Sequence, residues 1–539
     1  MRKLERRAQA ARKRVPGRIA IVPIVALALA GLAPFANAEP SRGAPQFEHR
    51  ATVPIVDPVS QALKQLVDNA NWQPGTFKLS WTRLRSLYLS RAYREVWTKP
   101  DDEARVRAAL GQADREGLSP GDYAVEAILP PGSNDPEKLA KYDLLLSNAL
   151  LNYASDVRLG RVLAGAGESD VLLPVQHYDA VSDLETALSG GTVAAYLVAL
   201  PPMQNEYGAL RTLLARYRDI AARGGWLNIS EGGQGEAARN AQSSHERDRL
   251  LIEDETFSAD PTRPDGLRDA IMRFQEHHAL NIDKRVGPTT IGALNVDVED
   301  RIAQIATNME RWRWMPHTFE DRYIVVNAPA ATLEVYDAGS VVLSSRVIVG
   351  SPTAPTPIIR AVATALTVNP TWHIPAKIAR KEIMPKSRLD SGYLTAHRMV
   401  IDDVTHSLSQ LPGPANSLGV LKLEMANRFD VYLHDTDVHA AFDRQLRDRS
   451  HGCVRVEQIL PLASFALTGT TDGAISDLNG TIAAGETKRI ELPARLPVYI
   501  LYWTVSVNDD GSAQFWPDIY ARDQHLRDAI TSRVVAQRL

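Results

Sequence analysis

The sequence predicts a multidomain α+β protein with a helical scaffold domain, a small helical module and a mainly antiparallel β domain. The length of 539 residues suggests three or four domains, at roughly 150 residues for each domain. Apolar residues recur with the helical period up to Trp314, and with the strand period of two after Pro316. The composition, 44% hydrophobic and 23% charged, is that of an ordinary globular protein.

The first 38 residues have the pattern of a targeting segment. Eight Lys or Arg residues and one acid precede an apolar run at residues 19–33. Residues 36–38, Ala-Asn-Ala, form a small-x-small cleavage site. We expect cleavage after Ala38 and export, to the periplasm if the source is a Gram-negative bacterium. An uncleaved N terminus that tethers the protein to the membrane is the alternative.

The net charge differs between this leader and the rest of the chain. The formal charge is −3, but without residues 1–38 the chain has 53 basic and 63 acidic residues, a charge of −10. Binding to nucleic acid depends on many Lys and Arg contacts with phosphates. We therefore expect no nucleic-acid partner.

Residues 39–59 predict a flexible leader and residues 60–245 predict the helical scaffold domain. Two of its helices are marked by apolar residues at helical spacing, one by Leu144, Ala149 and Tyr153, the other by Tyr207, Leu210, Leu214 and Tyr217. The second helix is expected to end at Gly224-Gly225. Residues 230–242, rich in Gly, Ser, Ala and Gln, predict a linker or a surface loop.

Residues 246–298 predict a compact helical module, followed by a connecting helix at residues 299–317. The first helix of the module has apolar residues at i, i+3, i+4 and i+7: Leu267, Ala270, Ile271 and Phe274. A turn and a second short helix follow. His277 and His278 near the end of the first helix are expected at the surface rather than as ligands.

Residues 318–525 predict the β domain, and residues 526–539 a C-terminal tail. The strand candidates are Tyr323–Asn327, Thr332–Tyr336, Val341–Val349, Ala363–Val368, Phe429–His434 and Val498–Val507. Asp337-Ala338-Gly339-Ser340 predicts a hairpin turn. Residues 369–418 are too long for a plain connection and predict an insert that acts as a substrate lid.

The protein's only cysteine, Cys453, follows one of these strand candidates. The alternation within residues 429–434 places Tyr432 and His434 on one strand face, which we expect to be the wetter face. A thiol is a poor nucleophile near neutral pH until a base or a positive neighbour activates it. The sequence therefore suggests that Cys453 attacks a substrate and that His434 takes its proton.

A single cysteine cannot form a structural disulfide within one chain, although exported proteins usually carry paired cysteines or none. A buried, inert cysteine is the simplest alternative. The polar sequence Ser450-His451-Gly452-Cys453 favours a reactive thiol.

Two other chemistries use the same residue types. In a papain-like peptidase the cysteine precedes the histidine, whereas His434 here comes first. A zinc site would combine His434, His439, His451 and Cys453, but the chain lacks a CxxC or HxxxH pair to anchor it. The sequence predicts neither a metal nor a cofactor.

A series of short motifs runs through residues 349–520. They are Val349-Gly350, Thr356-Pro357, Asn369-Pro370-Thr371-Trp372-His373-Ile374-Pro375, Pro412-Gly413-Pro414, Leu418-Gly419, Tyr432-Leu433-His434-Asp435-Thr436, Ser450-His451-Gly452-Cys453-Val454-Arg455, Leu496-Pro497-Val498-Tyr499 and Pro517-Asp518-Ile519-Tyr520. With them the C-terminal half resembles an L,D-transpeptidase catalytic domain of the YkuD type. Residues 266–295 resemble helical peptidoglycan-binding modules, with Lys284 where glycine is usual. The whole chain is similar to a large periplasmic subfamily that adds a helical scaffold.

The resemblance implies a role for each residue around Cys453. Cys453 would be the nucleophile and His434 the general base, with the backbone carbonyl of Asp435 orienting the imidazole. A tetrahedral oxyanion needs preorganised donors. The candidates are the N–H groups of Cys453 and Gly452 and the hydroxyl of Tyr432.

Further residues are expected to line or support the site: Ser450, His451, Arg455, Trp372 and Tyr393. Arg455 would bind a substrate carboxylate or buttress the turn, with buttressing slightly favoured. His451 would shape the pocket or act as a structural hydrogen-bonding residue. Trp372 and Tyr393 would contact substrate or pack in the core of the insert.

The substrates that the resemblance implies are peptidoglycan stem peptides. A tetrapeptide donor would form a thioester on Cys453, and a side-chain amine of a second stem would resolve it into a 3–3 cross-link. Carbapenems would acylate the same thiol. If water resolves the thioester, the activity is that of an L,D-carboxypeptidase or another hydrolase. A non-catalytic cell-wall-binding scaffold is the alternative of a different class.

Overall fold

The computed structural model describes residues 57–74, 78–123, 132, 134–229, 236–253, 266–468 and 472–532. The expected signal segment, the alternative membrane tether and most of the flexible leader lie outside these ranges. Within them, every helix is too short or too polar to span a bilayer.

The N-terminal part of the described chain is helical. Its elements are α1 Pro58–Asn69, α2 Trp81–Ser90, α3 Pro100–Gly111, α4 Pro136–Leu159, β1 Val171–Leu172, α5 Ala180–Gly190, α6 Val193–Ala199 and α7 Asn205–Ala222. Aspartates cap several helices; Asp135, for example, accepts hydrogen bonds from the N–H groups of Glu137 and Lys138 at the start of α4. As predicted, α7 stops before two glycines of positive φ, Gly224 and Gly225.

Helix α4 is the centre of the scaffold core, and it buries polar as well as apolar side chains. Asp143 accepts a hydrogen bond from the Tyr88 hydroxyl at 2.6 Å and one from the N–H of Trp97 at 2.9 Å. Buried carboxylates are tolerated when donors meet them in this way. This network fixes the segment between α2 and α3 against α4.

Helices α8 Glu236–Glu253, α9 Gly266–His277, α10 Pro288–Leu294 and α11 Val298–Arg313 follow. The prediction of a linker over residues 230–242 is wrong from Glu236 onward, since α8 begins there. The surface prediction for His278 is also wrong. This residue is buried, with its ring stacked on Phe274 at 3.9 Å. Lys284 adopts φ +59°, the conformation for which glycine is usual in that turn.

Helix α11 is buried on most of its surface, although its apolar residues mark only one helical face in the sequence. These residues are Ile302, Ile305, Ala306, Met309 and Trp312. Arg313 is 1% exposed, and its guanidinium is 2.7 Å from a carboxylate oxygen of Glu310 and 2.9 Å from the Tyr207 hydroxyl. Helices α7 and α11 share one hydrophobic core with the β domain. The domain boundaries at residues 245 and 298 stay predictions.

The β domain begins with β2 Arg322–Asn327, β3 Thr332–Asp337, β4 Ser340–Gly350, β5 Ile358–Val368, β6 Trp372–His373, α12 Ala376–Ile378, α13 Met384–Leu389, α14 Tyr393–Ala396, β7 Met399–Ile401 and β8 Leu408–Gln410. It continues with β9 Leu421–Met425, β10 Leu433–His434, β11 Asp448–Ser450, β12 Val454–Val456, α15 Ile459–Ala466, α16 Asp472–Ala484, β13 Lys488–Leu501, β14 Val505–Val507, β15 Ala513–Phe515 and α17 Arg522–Thr531. In the predicted hairpin turn, Ala338 and Gly339 both have positive φ.

Eight of the described strands close into a ring in the order β5-β13-β2-β3-β4-β12-β10-β9, and β9 pairs back with β5. Most neighbours in this ring are antiparallel, as predicted, but β2–β13 and β10–β12 are parallel. Closure leaves no free edge along the ring. Alternate residues of β9, Leu421, Leu423 and Met425, are buried in the core.

Three predicted strands differ in extent from those observed. The candidate Ala363–Val368 begins five residues earlier, at Ile358. Only Leu433 and His434 of the candidate 429–434 are in a strand, because the side chain of Asn427 bonds the N–H and the carbonyl of Val431 and Asp430 adopts φ +53°. The candidate 498–507 is interrupted between β13 and β14.

The insert at residues 369–418 has its own small core. Its buried residues are Ile374, Ile378, Ile383, Met399 and Leu408. A single π-helical turn at residues 379–383 lies between α12 and α13. Such turns are uncommon and occur frequently at functional sites.

Candidate active site

The parallel pair β10–β12 brings the reactive residues to one face of the sheet. Leu433 pairs with Val454 and His434 pairs with Arg455, while the Val454 N–H donates to the Tyr432 carbonyl at 3.1 Å. Leu433 and Val454 point into the core. Since side chains alternate along a strand, His434 and Arg455 lie on the opposite face, together with Tyr432 and Cys453.

Hydrogen bonds fix the loop before Cys453. The Ser450 hydroxyl accepts from the Gly452 N–H at 3.1 Å and donates to the Cys453 carbonyl at 2.5 Å. Thr356 donates to the Gly452 carbonyl at 2.9 Å. Gly452 has φ +114°, which side chains disfavour. Because Ser450 already takes the Gly452 N–H, the oxyanion donors that remain are the Cys453 N–H and the Tyr432 hydroxyl.

Cys453 is half-buried, and its thiol donates to the Asp430 carbonyl at a sulfur–oxygen distance of 3.8 Å. Burial raises the pKa of the thiol above its ordinary value. The N–H and the hydroxyl of Tyr432 oppose that rise in pKa, since both stabilise a thiolate by hydrogen bonding. The resting residue is therefore a neutral thiol with thiolate donors already beside it.

His434 is only 4% exposed, so the prediction that it lies on the wetter face is wrong for this residue. Burial, with the positive charges of Arg455 and Lys422, lowers the pKa of His434 to about 3. The backbone of Asp435 opposes this lowering, as does that of Leu418. The imidazole is consequently neutral at physiological pH.

The carboxylate of Asp435 anchors the start of β9 to the end of β10. One of its oxygens accepts the Val420 N–H at 2.9 Å. Gly419 has φ +62°, and a Cβ there would lie 2.3 Å from the carboxylate carbon of Asp435. Only glycine fits this turn without displacing Asp435.

Comparison with known proteins gives two matches of family models along the chain. Residues 321–479 match the L,D-transpeptidase catalytic domain, YkuD, and residues 82–214 match the scaffold domain. The chain contains a YkuD-type L,D-transpeptidase catalytic domain. Both matches lie inside the ranges predicted for these two domains.

A Haemophilus influenzae protein named "Putative L,D-transpeptidase" is 31% identical over 250 residues. The match covers 42% of this chain and 50% of the relative, so the chain spans about half the length of that relative. Among solved structures, an L,D-transpeptidase from Mycobacterium smegmatis is 14% identical, covering 34% of this chain and 58% of its own, with a TM-score of 0.19. One from Stackebrandtia nassauensis is 12% identical, covering 51% and 95%, also with a TM-score of 0.19.

The insert directly contacts the loop at residues 450–453, which we call the catalytic loop after its predicted role. Nε2 of His451 lies 2.6 Å from a carboxylate oxygen of Glu382, which belongs to the π-helical turn. Trp372 and Tyr393 pack against the core of the insert, and Tyr393 stacks on His397 at 4.1 Å. A role for these two aromatic residues in lining the substrate stays a prediction.

Arg455 makes one hydrogen bond, at 3.3 Å, from its guanidinium to the Thr436 hydroxyl. Its Nε is buried and meets no acceptor among the described residues. The contact with Thr436 fits the buttressing role, and the incomplete pairing leaves donors for a substrate carboxylate. Both roles stay predictions.

Three residues of this site were not predicted from the sequence: Thr356, Glu382 and Lys422. Thr356 lies in the motif Thr356-Pro357, and Lys422 follows Leu418-Gly419 by a few residues. Neither motif by itself predicts that these side chains lie near Cys453. Within the described ranges, no three His, Cys, Asp or Glu side chains are grouped as metal ligands. His439 lies 3.6 Å from Asp435, whereas His451 contacts Glu382.

Proposed function

We propose that this protein is a peptidoglycan L,D-transpeptidase that forms 3–3 cross-links through a thioester on Cys453. The observation that supports this most directly is the shared sheet face of Tyr432, His434 and Cys453, inside the residues that match the transpeptidase domain. Tyr432 links the other two residues, since its ring centroid lies 5.5 Å from that of His434 and its hydroxyl acts on the Cys453 thiol.

In the first half of the reaction, the Cys453 thiol gives its proton to the neutral imidazole of His434. The sulfur then attacks the carbonyl carbon between the diamino acid and the terminal D-alanine of a donor tetrapeptide. The Cys453 N–H and the Tyr432 hydroxyl stabilise the oxyanion. As the C–N bond breaks, the imidazolium returns the proton to the amine of the departing D-alanine, and a thioester remains.

In the second half, the side-chain amine of an acceptor stem attacks the thioester carbonyl. His434 takes a proton from that amine, the C–S bond breaks, and the thiolate recovers a proton. Water in place of the amine makes the protein an L,D-carboxypeptidase or hydrolase. The contact between Glu382 and His451 holds the insert against the catalytic loop, where it limits the access of water.

The location of the activity follows from the leader. A basic segment, an apolar run and a cleavage site support export to the periplasm, where donor and acceptor stems are present. Retention of the leader would tether the protein to the membrane. Neither alternative changes the chemistry at Cys453.

Incubation of the purified protein with a stem tetrapeptide, followed by intact-mass measurement, tests this function. We expect an adduct with the mass of the donor minus D-alanine on wild type and none on Cys453→Ala. A carbapenem should label the wild type and spare the variant in the same way. Absence of any adduct from wild type, despite binding to peptidoglycan sacculi, would identify a non-catalytic scaffold instead.

Adding an acceptor stem then separates transfer from hydrolysis. We expect a cross-linked product joined through the acceptor's side-chain amine, in excess over the hydrolysed tripeptide. Hydrolysed product alone, at saturating acceptor, would assign the protein as a hydrolase.

A further inference from the structure

One lysine lies in register with the catalytic histidine. Lys422 of β9 pairs with His434 of β10, and His434 pairs with Arg455 of β12 on its other side. A cation, the imidazole and a second cation therefore form one row across three adjacent strands. Leu421 and Leu423 point into the core, so Lys422 lies on the face that carries Cys453.

The ammonium group of Lys422 lies over the ring of Tyr432, with Nζ 4.1 Å from the ring centroid. A cation on the face of an aromatic ring is attracted by its quadrupole, more strongly when partly desolvated. Lys422 is half-buried. The contact therefore holds the ring of Tyr432. The hydroxyl of this ring and the backbone N–H of the same residue act on the Cys453 sulfur.

Within the described ranges, no carboxylate pairs with Lys422. The acid nearest to it on the same face of β9 is Glu424, whose oxygens are bonded to Thr367 at 2.5 Å and Arg489 at 2.8 Å. Lys422 is one of the groups that lower the pKa of Glu424, but that carboxylate is bonded to Thr367 and Arg489 and not to the ammonium. The ammonium can therefore also stabilise negative charge that develops during the reaction. Such charge forms on the sulfur and on the oxyanion.

The two cations of the row act differently on the two reacting groups. Of the two, Lys422 has the larger effect in lowering the pKa of Cys453, whereas Arg455 has the larger effect on the pKa of His434. Burial, assisted mainly by Arg455, thus keeps the imidazole neutral, and Lys422 favours the ionised sulfur. A positive neighbour of a thiol has this effect in general.

We propose that Lys422 is a positioning residue, which holds Tyr432 beside the sulfur and stabilises negative charge on Cys453. This inference rests on the proposed role of Cys453 as the nucleophile. Strand β9, which pairs with the strand of His434, thereby takes part in activating the thiol. Lys422 itself lies outside the motifs that contain His434 and Cys453.

Alkylation of the full-length protein by iodoacetamide tests the proposal, because every label reports on the single cysteine. The rate is measured against pH by intact mass for wild type, Lys422→Met and Lys422→Arg. We expect the midpoint for the methionine variant to rise by about one pH unit. The arginine variant keeps the charge and should keep the wild-type midpoint. Lys386→Met removes an ammonium 5.9 Å from the ring of Tyr393 in the insert and serves as the matched control.

The proposal is overturned if Lys422→Met has the wild-type midpoint. A second comparison separates charge from packing: in a Tyr432→Phe background, which keeps the ring and lacks the hydroxyl, Lys422→Met should still raise the midpoint. No rise in that background would reduce the role of Lys422 to packing and overturn the electrostatic part. Lys422→Gln replaces the methionine variant if the latter does not fold. Alkylation needs no peptidoglycan, so failure of thioester formation with stem peptides leaves this test intact.

Discussion

The thiol of Cys453 and the imidazole of His434 lie on one sheet face, and burial moves their pKa values in opposite directions. The pKa of the thiol is raised, and that of the imidazole is lowered to about 3. A thiolate–imidazolium pair is therefore rare in the free protein. In the proposed reaction, the proton leaves sulfur when a substrate carbonyl arrives and the resulting oxyanion meets its donors. This differs from cysteine sites in which a preformed thiolate waits for substrate.

At this residue scale, Tyr432→Phe should slow acylation of Cys453 by a stem peptide or carbapenem by roughly 10²-fold, the typical effect of losing one oxyanion donor. The hydroxyl also lowers the pKa of Cys453, so the alkylation midpoint should move to higher pH. Stopped-flow or intact-mass kinetics measure the first effect. Tyr336→Phe, in β3 with its hydroxyl bonded to Glu334, is the matched control, and an unchanged acylation rate in Tyr432→Phe would exclude the hydroxyl from the reaction.

At the scale of elements, the site depends on two short strands and an insert. Strands β10 and β12 supply the reactive face, and their parallel pairing is one of two parallel pairs in the described ring. The insert adds a small domain with its own core, joined to the catalytic loop by Glu382 and His451. At its start, Asn369 also donates to the carbonyls of Thr481 at 2.9 Å and Glu486 at 3.1 Å, so the Glu382–His451 pair is the contact that joins the far part of the insert to the loop before Cys453.

Glu382→Ala should release the insert from the catalytic loop. Both side chains are nearly half exposed, 44% for Glu382 and 47% for His451, so the effect on thermal stability should be small. We expect alkylation of Cys453 to accelerate a few-fold and hydrolysis to gain relative to transfer, because water reaches the thioester more easily. Asp403→Ala removes another exposed carboxylate of the insert and is the control. An unchanged ratio of hydrolysis to transfer would show that this contact does not regulate access.

At the scale of the whole molecule, the helical module is joined to the β domain through a buried histidine. The ring of His278 stacks between Phe274 at 3.9 Å and Phe515 at 5.3 Å, and its Nδ1 donates to the Phe274 carbonyl. Burial lowers the pKa of His278 from 6.5 to about 3. The nearby Glu253 has its pKa lowered to about 2, chiefly by Arg249 against the effect of burial.

These shifts predict that acid destabilises the folded protein. The unfolded chain binds a proton at His278 near pH 6.5, whereas the folded chain does so only near pH 3. Stability should therefore fall as the pH falls through this window. In thermal unfolding, His278→Gln should show a smaller loss of melting temperature between neutral pH and about pH 4 than wild type. His525→Gln, at an exposed position, is the control, and an unchanged slope in His278→Gln would contradict the prediction.

The local pattern of the sequence was sufficient for several elements. Alternation and turn residues predicted β2, β3 and β4 to within two residues, and Ala338-Gly339 turned the hairpin as expected. Strand β10 was predicted too long, since the competing hydrogen bonds of the Asn427 side chain depend on the folded turn. Helix α8 was missed because its first residues are mostly Ala, Asn, Gln and Ser, with no large apolar side chains to mark a helical period.

The sequence by itself singled out Cys453 and His434 as the candidate reacting groups, because the only cysteine follows a strand histidine in motifs that resemble those of L,D-transpeptidases. Their chemical roles stay predictions. The tertiary structure alone decided their surroundings. His434 is buried by the surrounding elements. Lys422 contacts Tyr432, and Glu382 contacts His451, so each of these pairs joins different segments of the chain. Closure of the sheet and docking of the insert create these contacts, and periodicity along a single strand carries no information about them.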